Sequence, residues 1–449
     1  MTLRSKVLGG SLTLTVGEIL TYGCSFARNV ILARLLTKSD FGIAAAFAMT
    51  ISLLDLASKL SLGNQTIQAR QGDDPEFQAS SHSFMAVMGL ISAALVIPLA
   101  WPLAYYFKAP ETRWAFQLVA LAPLAHGLSH LDVYRMARQM KFLPMIWAEV
   151  VPQVAITAAA WPLAWWLQDY RAMLYLMIGK WVMSLIASHW LAERPYRWSW
   201  NAGHARVIWG FGSPLLINGL LTFGILQGDQ VLVGGGYSLA DLGLYNVAAM
   251  LAVVPALMMM RISNQTMLPL LSQAQDDPVA FARHYAACVQ ALSFLSAIFG
   301  ASLIVAGEWF VQLIYGAKYA GAGGVLGVLA ASQAIRLIRS APTVAAMSRG
   351  DTRNLMISNL YRISGLGFAA LVVWQRWSLP WVAAASLAGE LLAFFVSMTR
   401  LSRLHGLRLS SGLGPAGAAM AWMALAGFLA FEGVTRAPAW VILPVTAGM

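Results

Sequence analysis

Long apolar stretches, separated by short polar segments, follow one another along almost the whole chain. A bilayer core needs about 20 mostly apolar residues per helix, and these stretches are long enough. With polar, Gly and Pro positions as boundaries, the pattern predicts thirteen membrane-spanning helices: 11–35, 40–62, 83–107, 114–134, 143–167, 172–192, 206–233, 241–270, 284–305, 322–346, 354–375, 379–400 and 412–432. After Arg436 the segment PAWVILPVTAGM is too short to cross. It is either a partial fourteenth helix or a truncated end.

Three landmarks of the first half of the chain recur in the second half, in the same order and at nearly the same offset. Ser39–Met49 (SDFGIAAAFAM) returns as Ala240–Met250 (ADLGLYNVAAM), Asn64-Gln65-Thr66 as Asn264-Gln265-Thr266, and Asp73-Asp74-Pro75 as Asp276-Asp277-Pro278. The repeat predicts two six-helix lobes of the same orientation, at 1–200 and 201–405, with additional helices in 406–449. Two such lobes that rock against each other would form an alternating-access transporter.

Polar residues at the starts of the repeated helices have a local explanation. Ser39 and Asp40 can cap a helix that begins at Phe41, and Asp241 can cap one that begins at Leu242. The Asp-Asp-Pro segments indicate helix starts in the same way. These aspartates are therefore interpreted as caps and not as ligands.

Composition agrees with a membrane protein. The chain has 59% apolar and 11% charged residues, whereas a soluble domain carries about 25% charged residues. The net charge of +11 does not indicate nucleic-acid binding, because the basic residues are spread over short loops and helix interiors. Fifteen Lys and Arg residues lie in the loops of one side against eight on the other, which predicts a cytoplasmic N-terminus. Cys24 and Cys288 lie inside predicted helices and are interpreted as packing residues.

Seven basic residues interrupt the apolar stretches. One Lys or Arg at a helix centre costs about 2.5–3.5 kcal/mol on insertion scales, so seven that face lipid would be prohibitive. Lys59 lies close enough to a helix end to reach the interface. Several of the others are expected to line a hydrated cavity with a positive field, and such a cavity suits an anionic cargo. The seven are Arg28, Lys59, Lys180, Arg261, Arg336, Arg339 and Arg362.

Six of these residues are candidates for cargo binding. Lys59 and Arg261 occupy nearly equivalent repeat positions, and a matched pair of cations suits a diphosphate; Arg28 is the next candidate. Arg336 and Arg339 share one helix face. Their guanidinium groups, and that of Arg362, can each donate two parallel hydrogen bonds to a phosphate. The alternative for Arg336, Arg339 and Arg362 is contact with lipid phosphates at the inner interface.

Four further charged residues are candidates for coupling or gating. Asp229 is the repeat partner of Arg28, so the two could pair in one conformation and part in another, or form a static salt bridge. Glu18 could be a proton or sodium site or a local partner for a neighbouring helix. Lys180 and Glu390 occupy similar places in the two predicted lobes.

Other polar features have simpler interpretations. Asp55 precedes Lys59 by four residues and can neutralise it on the same helix face. His126 and His130, also spaced i,i+4, superficially resemble a metal pair, but no third ligand is visible, so neither a metal nor a cofactor is predicted. Seven tryptophans near predicted helix ends indicate an interfacial aromatic belt, with sugar stacking at an outer vestibule as the alternative. They are Trp101, Trp114, Trp161, Trp165, Trp166, Trp198 and Trp200.

The stretch ARLLTKSDFGIAAAFAM (Ala33–Met49), the Asn-Gln-Thr segment and the degenerate second copy resemble the polysaccharide-transporter family of bacterial flippases. Its superfamily also contains lipid II flippases and multidrug extruders, and the resemblance covers about residues 5–405. It implies an all-α polytopic membrane protein with two parallel-repeat six-helix lobes in a V-shaped bundle, plus one or two C-terminal helices. It also implies cavity positions for Arg28, Lys59 and Arg261, although Lys59 stands where an arginine is common.

The function implied by the resemblance is transport and not enzymatic catalysis. Members carry undecaprenyl-diphosphate-linked oligosaccharide repeat units across the inner membrane, for exopolysaccharide, capsule or O-antigen synthesis. The expected partners are this lipid-linked cargo, membrane lipids, and the polymerase and export machinery of the same pathway; the chain is expected to be a monomer.

Two alternatives remain. A multidrug or cation antiporter of the same superfamily would need an acidic cavity, which the excess of seven basic residues over Glu18, Asp55, Glu149, Asp229 and Glu390 opposes. A membrane-embedded glycosyltransferase or polymerase would need a large periplasmic loop or an acidic loop motif, and the sequence has neither.

Overall fold

The computed structural model describes residues 3–59 and 62–431, with side chains at 13–54 and 62–431. These residues form seventeen α-helices and two 3₁₀ turns, and the part so described contains no β-strand. The predicted all-α fold is confirmed. The helices are α1 Leu3–Leu35, α2 Lys38–Lys59, α3 Leu62–Gln68, α4 Pro75–Tyr106, α5 Arg113–Leu118, α6 Leu121–Gly127, α7 Asp132–Arg138, α8 Leu143–Leu167, α9 Arg171–Trp190, α10 Ala202–Gly236, α11 Leu239–Gln273, α12 Pro278–Tyr315, α13 Gly323–Ser348, α14 Arg353–Arg362, α15 Ser364–Trp374, α16 Leu379–His405 and α17 Leu409–Phe431.

Helix lengths and hydropathy support a multi-pass membrane protein. Among the described helices, nine are long and apolar enough to cross a bilayer: α4, α8, α9, α10, α11, α12, α14 with α15, α16 and α17. The predicted fourteenth helix lies beyond residue 431 and therefore outside the described part. Helix α13 fills the predicted position 322–346, but it is too polar to be one of the nine.

Two predicted helices begin later than the observed ones because hydropathy was the guide. The helix predicted to start at residue 83 is α4, which starts at Pro75. The helix predicted over 284–305 is α12, which extends from Pro278 to Tyr315. In α4 the polar first turns, with Gln78, Ser81 and His82, are buried in the protein. Their polarity is satisfied by neighbours and does not mark a helix boundary.

The predicted continuous helix 114–134 is wrong. The structure divides it into α5, α6 and α7, with a break between Gly127 and Asp132. Side chains of other helices hold this break: Nε2 of His82 accepts the N–H of Leu131 at 3.1 Å, and Oγ of Ser188 accepts the N–H of His130 at 2.9 Å. Broken backbone is tolerated at membrane depth where such partners are available. His126 and His130 therefore do not share one helix face.

A smaller interruption divides the predicted helix 354–375. Helix α14 ends at Arg362 and α15 begins at Ser364. There the backbone comes very close to α16, since a Cβ on Gly365 would lie 3.1 Å from the Cα of Gly389, and a Cβ on Gly389 would lie 2.5 Å from the carbonyl oxygen of Arg362. Small residues allow this kind of close helix packing in membranes.

The helices group into two compact units. Unit 1 comprises Met1–Phe223 and Ser238–Gly243, and unit 2 comprises Gly224–Tyr237 and Leu244–Met449. Helices α10 and α11 thus contribute to both. The lobe boundaries expected from the repeat, at 200/201 and 405/406, remain a prediction.

The repeat is visible in the capping of α2 and α11. Thr37 Oγ1 accepts the N–H of Asp40 at 3.1 Å and donates to its carboxylate; Ser238 Oγ accepts the N–H of Asp241 at 3.1 Å and donates in the same way. The N–H of Ser238 also donates to Asp241 at 3.1 Å, so this second pair forms a capping box. The predicted starts at Phe41 and Leu242 are wrong, because α2 begins at Lys38 and α11 at Leu239. Thr37 and Ser238 are the caps, Asp40 and Asp241 support them from the third helical position, and Ser39 is not a cap.

The Asp-Asp-Pro segments also start helices. Asp74 accepts the N–H of Glu76 before α4, and Asp277 accepts the N–H groups of Val279 and Ala280 before α12. The proline that follows each cap occupies the first helical position, where it costs no hydrogen bond. This interpretation from the sequence is confirmed.

Unit 2 is built around α13, which packs against α12, α16 and α17. Leu337, Phe394 and Met423 belong to its apolar core. This enclosure explains how α13 can be polar, because its buried residues include Ser332, Gln333, Arg339, Ser340 and Thr343. Cys24 and Cys288 are free thiols, in agreement with the interpretation from sequence.

Unit 1 holds a buried ionic network at the start of α7. The carboxylate of Asp132, with no exposed side-chain area, accepts hydrogen bonds from Nε of Arg135 at 2.5 Å and from Nε2 of Gln78 at 3.0 Å. It also accepts the backbone N–H of Glu193 at 2.8 Å, and Glu193 in turn pairs with Arg135 at 3.0 Å. The network ties α4, α7 and the segment after α9 together.

Replacing Asp132 by Asn should destabilise the protein strongly. The buried guanidinium of Arg135 would lose its buried charged partner and keep only the half-exposed Glu193, and breaking a buried pair costs about 3 kcal/mol or more. Thermal unfolding of the purified protein in detergent should show a much lower midpoint for Asp132→Asn. Glu193→Gln is the matched control and should stay near wild type, because its side chain is half exposed. Equal midpoints for Asp132→Asn and wild type would contradict the network's role.

The loop carboxylate of Asp351 should make stability depend on pH. It lies 3.4 Å from Nη2 of Arg400 and 3.5 Å from Nε2 of His405. Partial burial raises the pKa of Asp351, but the contacts with Arg400 and His405 outweigh it and hold that pKa below its usual value. The contribution is then full above about pH 4 and is lost as pH falls through the lowered pKa. The difference in unfolding midpoint between wild type and Asp351→Asn should be largest at pH 6 and shrink below pH 4. A difference that stays constant over this range would exclude the ionised pair as its cause.

Candidate functional site

A buried carboxylate on α16 forms the centre of the candidate site in unit 2. Glu390 has no exposed side-chain area. Nε of Arg339 on α13 donates to its Oε1 at 2.5 Å. Nε of Arg362 on α14 lies 2.5 Å from Oε2, an ion pair without a well-formed hydrogen bond. Both arginines are almost fully buried, with 6% and 9% of their side chains exposed.

The packing of three helices brings these groups together. The backbone contact at Gly365 and Gly389 lies directly beside Arg362 and Glu390 in sequence, so it sets the distance between their two helices. From the third helix, Arg339 also donates through Nη1 to Oγ of Ser358 at 3.2 Å. The guanidinium of Arg339 is therefore fixed by two helices besides its own.

Arg336 adds a third guanidinium group. It precedes Arg339 by three residues, so both lie on one face of α13, and it is within electrostatic range of Arg362 and Glu390. Its Nη1 donates weakly to Gln333 at 3.4 Å, while its Nε has no hydrogen-bond partner in the described residues. Three cations thus lie near the carboxylate of Glu390, which pairs with two of them. Arg336, Arg339, Arg362 and Glu390 are called the arginine cluster below.

Asp229 lies next to the arginine cluster. Its Oδ2 accepts hydrogen bonds from the hydroxyl of Tyr245 at 2.6 Å and from Oγ of Ser386 at 3.3 Å. Together with Arg362 and Ser386 it lines a cavity of about 20 Å³, which is room for about one water molecule. With Asp229 included, this interior still carries an excess of one positive charge.

The other predicted binding residues are not brought into the arginine cluster. Arg28 lies in unit 1, 7% exposed, and its Nε has no hydrogen-bond partner in the described part of the chain. Arg261 is exposed on α11. The side chain of Lys59 lies outside the described residues. The matched pair of Lys59 and Arg261 therefore stays a prediction.

The predicted coupling residues occupy three different places. Glu390 is in the arginine cluster and Asp229 beside it, whereas Glu18 is half-buried on α1. Because Arg28 and Asp229 belong to different units, their pairing stays a prediction. Lys180 lies half-buried in unit 1, with Nζ 5.2 Å from the ring centre of Trp181.

Lys180 lines a larger cavity, called the unit 1 cavity below. Its volume is about 250 Å³, and seven helices of unit 1 (α1, α3, α4, α6, α7, α8 and α9) and the break before α7 contribute to its wall. The polar and aromatic residues of that wall include Asn64, His130, Tyr134, Glu149, Lys180 and Trp181. Within the described residues, no group of three or more His, Cys, Asp or Glu side chains is placed to hold a metal ion.

Three partners of the site were missed from the sequence. Ser358 precedes Arg362 by four residues and Ser386 precedes Glu390 by four, so each shares a helix face with a predicted residue. That spacing was an available signal. The signal for Tyr245 was weaker. In the second copy of the repeated segment, Tyr245 replaces the Ala44 of the first copy, so a small apolar residue becomes one with a hydroxyl group.

Comparison with known proteins identifies the family. The sequence profile described as "Polysaccharide biosynthesis protein" matches residues 31–323, well over half of the chain. The chain belongs to this family. Within it, the lipopolysaccharide biosynthesis protein WzxC of Escherichia coli (strain K12) is 22% identical over 76% of this chain and 69% of its own length. The succinoglycan biosynthesis transport protein ExoT of Rhizobium meliloti (strain 1021) is 22% identical over 70% of this chain and 64% of its own length.

Solved structures show which fold this polysaccharide biosynthesis protein shares. The lipid II flippase MurJ, in an inward closed conformation, has a TM-score of 0.75 at 11% identity and covers 95% of this chain and 98% of its own. An inward-facing MATE family multidrug resistance transporter of the MOP superfamily has a TM-score of 0.65 at 13% identity. The match covers 88% of this chain and 99% of the transporter's chain. The predicted family and fold class are thereby confirmed, and the printed names of ExoT and MurJ describe a transport protein and a flippase.

Removing the central carboxylate should expose the charge imbalance of the arginine cluster. Glu390→Gln leaves the buried guanidinium groups of Arg339 and Arg362 without an anion, and we expect a loss of about 3 kcal/mol of stability. The double variant Arg362→Gln/Glu390→Gln should lose clearly less than the sum of the two single variants, by about 1–3 kcal/mol. Unfolding midpoints of the three purified variants provide the measurement. Fully additive losses would mean that the two residues do not interact in the folded protein.

Proposed function

We propose that this transporter moves polyprenyl (undecaprenyl) diphosphate-linked oligosaccharide repeat units across the bacterial inner membrane by alternating access. The cargo would serve exopolysaccharide, capsule or O-antigen synthesis. The N-terminus is placed in the cytoplasm on the basis of the loop charges. No covalent chemistry is involved, and no cofactor or metal is required.

The observation that carries the proposal is the arginine cluster. In the interior of unit 2, Arg339 and Arg362 pair with one carboxylate, and a third guanidinium group, that of Arg336, lies within electrostatic range of it. Electrostatic attraction is stronger in such a sheltered place than in bulk water, so an excess of positive charge there favours an anion. A diphosphate offers several oxygens to which planar guanidinium groups can donate paired hydrogen bonds.

The relatives support the same cargo class. WzxC is named for lipopolysaccharide and ExoT for succinoglycan, which are different sugars. A feature that carriers of different sugars can share is recognition of the headgroup that links sugar to lipid. The fold shared with a lipid II flippase also suits a carrier of lipid-linked sugars.

The arrangement suggests how cargo and conformation are linked. Arg339 and Arg362 are held by Glu390, whereas Nε of Arg336 is unsatisfied among the described residues. In the proposal, Arg336 contacts the diphosphate first, and the diphosphate then competes with Glu390 for the other two arginines. Glu390, with Asp229, Glu18 and Lys180, remains a candidate for coupling or gating, and Arg28, Lys59 and Arg261 remain candidate cargo ligands.

A multidrug or cation antiporter is less well supported. Its basis is the fold shared with the MATE transporter, and a shared fold does not define a cargo. The charge excess of the arginine cluster is opposite in sign to what a cation would need.

Neutralising Arg336 should impair export without unfolding the protein. Arg336→Gln removes one charge-assisted contact, worth about 1.5–3 kcal/mol, so we expect export to fall about tenfold or more. In a strain that depends on this transporter, lipid-linked repeat units should accumulate inside and polymer should be lost outside.

Arg403→Gln is the matched control, because Arg403 is exposed near the end of α16; it should export normally. Wild-type export by stable, membrane-inserted Arg336→Gln would remove the arginine cluster from the cargo site. Lys59→Gln and Arg261→Gln in the same assay decide separately whether those two residues contribute.

A further inference from the structure

The unit 1 cavity is separate from the arginine cluster and has a different chemical character. Lys180 and Glu149 contribute one positive and one negative charge to its wall. The arginine cluster, in contrast, has three cations for one carboxylate. The charges that the described residues place on this wall cancel, so these residues do not favour a diphosphate and suit a polar ligand without charge.

The wall offers both hydrogen-bond donors and acceptors. Asn64 and Glu149 are exposed and form no hydrogen bond with the residues that the structure describes. His130 is 2% exposed, and its Nδ1 accepts the N–H of Asp132 at 3.1 Å. Its other ring nitrogen, Nε2, is solvent-inaccessible and is not available to a ligand. The Asn64 amide therefore supplies the donor, and the side-chain oxygens of Asn64 and Glu149 supply the acceptors. Sugar hydroxyl groups, which both donate and accept, match such a mixed set.

The wall also holds an aromatic ring in a fixed position. The Trp181 and His126 rings are perpendicular, with their centres 5.4 Å apart, and Nζ of Lys180 lies over the indole at 5.2 Å from its ring centre. A pyranose has a face of C–H groups that can stack on an indole while its hydroxyls reach polar neighbours at the side. Trp181, Glu149 and Asn64 together supply these two kinds of contact.

The size of the unit 1 cavity limits what it can hold. Its volume of about 250 Å³ corresponds to about eight water molecules at ~30 Å³ each. It lies just below the ~300–1,000 Å³ typical of pockets for drug-sized ligands. One monosaccharide unit fits this size better than a whole repeat unit.

We propose that the unit 1 cavity binds one uncharged pyranose residue of the transported oligosaccharide. The inference rests on the proposed function and extends it, because it assigns sugar recognition to unit 1 and diphosphate recognition to the arginine cluster of unit 2. Trp181 stacks on the sugar, and Glu149 and Asn64 bind its hydroxyls.

Titration calorimetry on the purified full-length protein in detergent tests this assignment with two probes. The first is the free oligosaccharide released by mild acid from the lipid-linked precursor of a producing strain. The second is inorganic pyrophosphate, which reports on the arginine cluster. The variants are Trp181→Ala, Trp181→Phe and Glu149→Gln. Trp190→Ala is the matched control, since Trp190 lies on the same helix but is 87% exposed.

We expect the oligosaccharide to bind about tenfold more weakly to Trp181→Ala and several-fold more weakly to Glu149→Gln. Trp181→Phe keeps an aromatic face and should recover most of the affinity, which a merely structural role of the indole would not predict if both variants are folded. Trp190→Ala should match wild type, and pyrophosphate should bind equally to wild type and to all cavity variants. Wild-type oligosaccharide affinity in both Trp181→Ala and Glu149→Gln would overturn the assignment.

Arg336→Gln separates this inference from the proposed function. If pyrophosphate binding is insensitive to Arg336→Gln while oligosaccharide binding still depends on Trp181, the diphosphate site is wrong and the sugar site stands. If pyrophosphate binding requires Arg336 but the oligosaccharide is indifferent to Trp181 and Glu149, the sugar site is wrong and the proposed function is unaffected.

Discussion

The fold depends on keeping polar and charged groups away from lipid, where each of them would be costly. Helix α13 meets this constraint by enclosure, because α12, α16 and α17 cover it and Glu390 neutralises part of its charge. Unit 1 meets it differently, by tying Asp132 and Arg135 into a network near the helix ends. In both units, buried charged side chains are therefore paired inside the protein.

The two halves share a framework but differ in the chemistry of their interiors. The capping boxes at Thr37 and Ser238, and the Asp-Pro starts of α4 and α12, are preserved at corresponding places. The interiors differ, since unit 2 concentrates guanidinium groups and unit 1 has a cavity whose wall carries Lys180 with Glu149. Helix-start chemistry is local and needs only a short polar side chain at the cap, whereas an enclosed interior can acquire new polar groups as long as they find partners.

Hydropathy was sufficient to locate most helices, because about 20 apolar residues in sequence define a span regardless of neighbours. Hydropathy did not predict the helix boundaries where side chains distant in sequence bind backbone groups. In the break before Asp132, the backbone donates hydrogen bonds to the side chains of His82 and Ser188. These partners lie in other helices and cannot be predicted from the sequence of the segment itself. The candidate site shows the same limit: buried charges indicated that Arg339, Arg362 and Glu390 matter, but only the packing of three helices reveals that they pair. Serines four residues before Arg362 and Glu390 were a readable signal that was not used.

The backbone contact between Gly365 and Gly389 has a mechanical consequence. With no side chains between them at this point, α15 and α16 are in direct backbone contact, and Arg362, the last residue of α14, lies beside this contact with its partner Glu390 on α16. Helix α13 has no glycine between Val328 and Ser348. Its contact with α16 passes through the side chains of Arg339 and Glu390, which can change rotamer. A rearrangement that opens the arginine cluster would therefore begin at the ion pair of Arg339 with Glu390, while α15 and α16 stay in backbone contact.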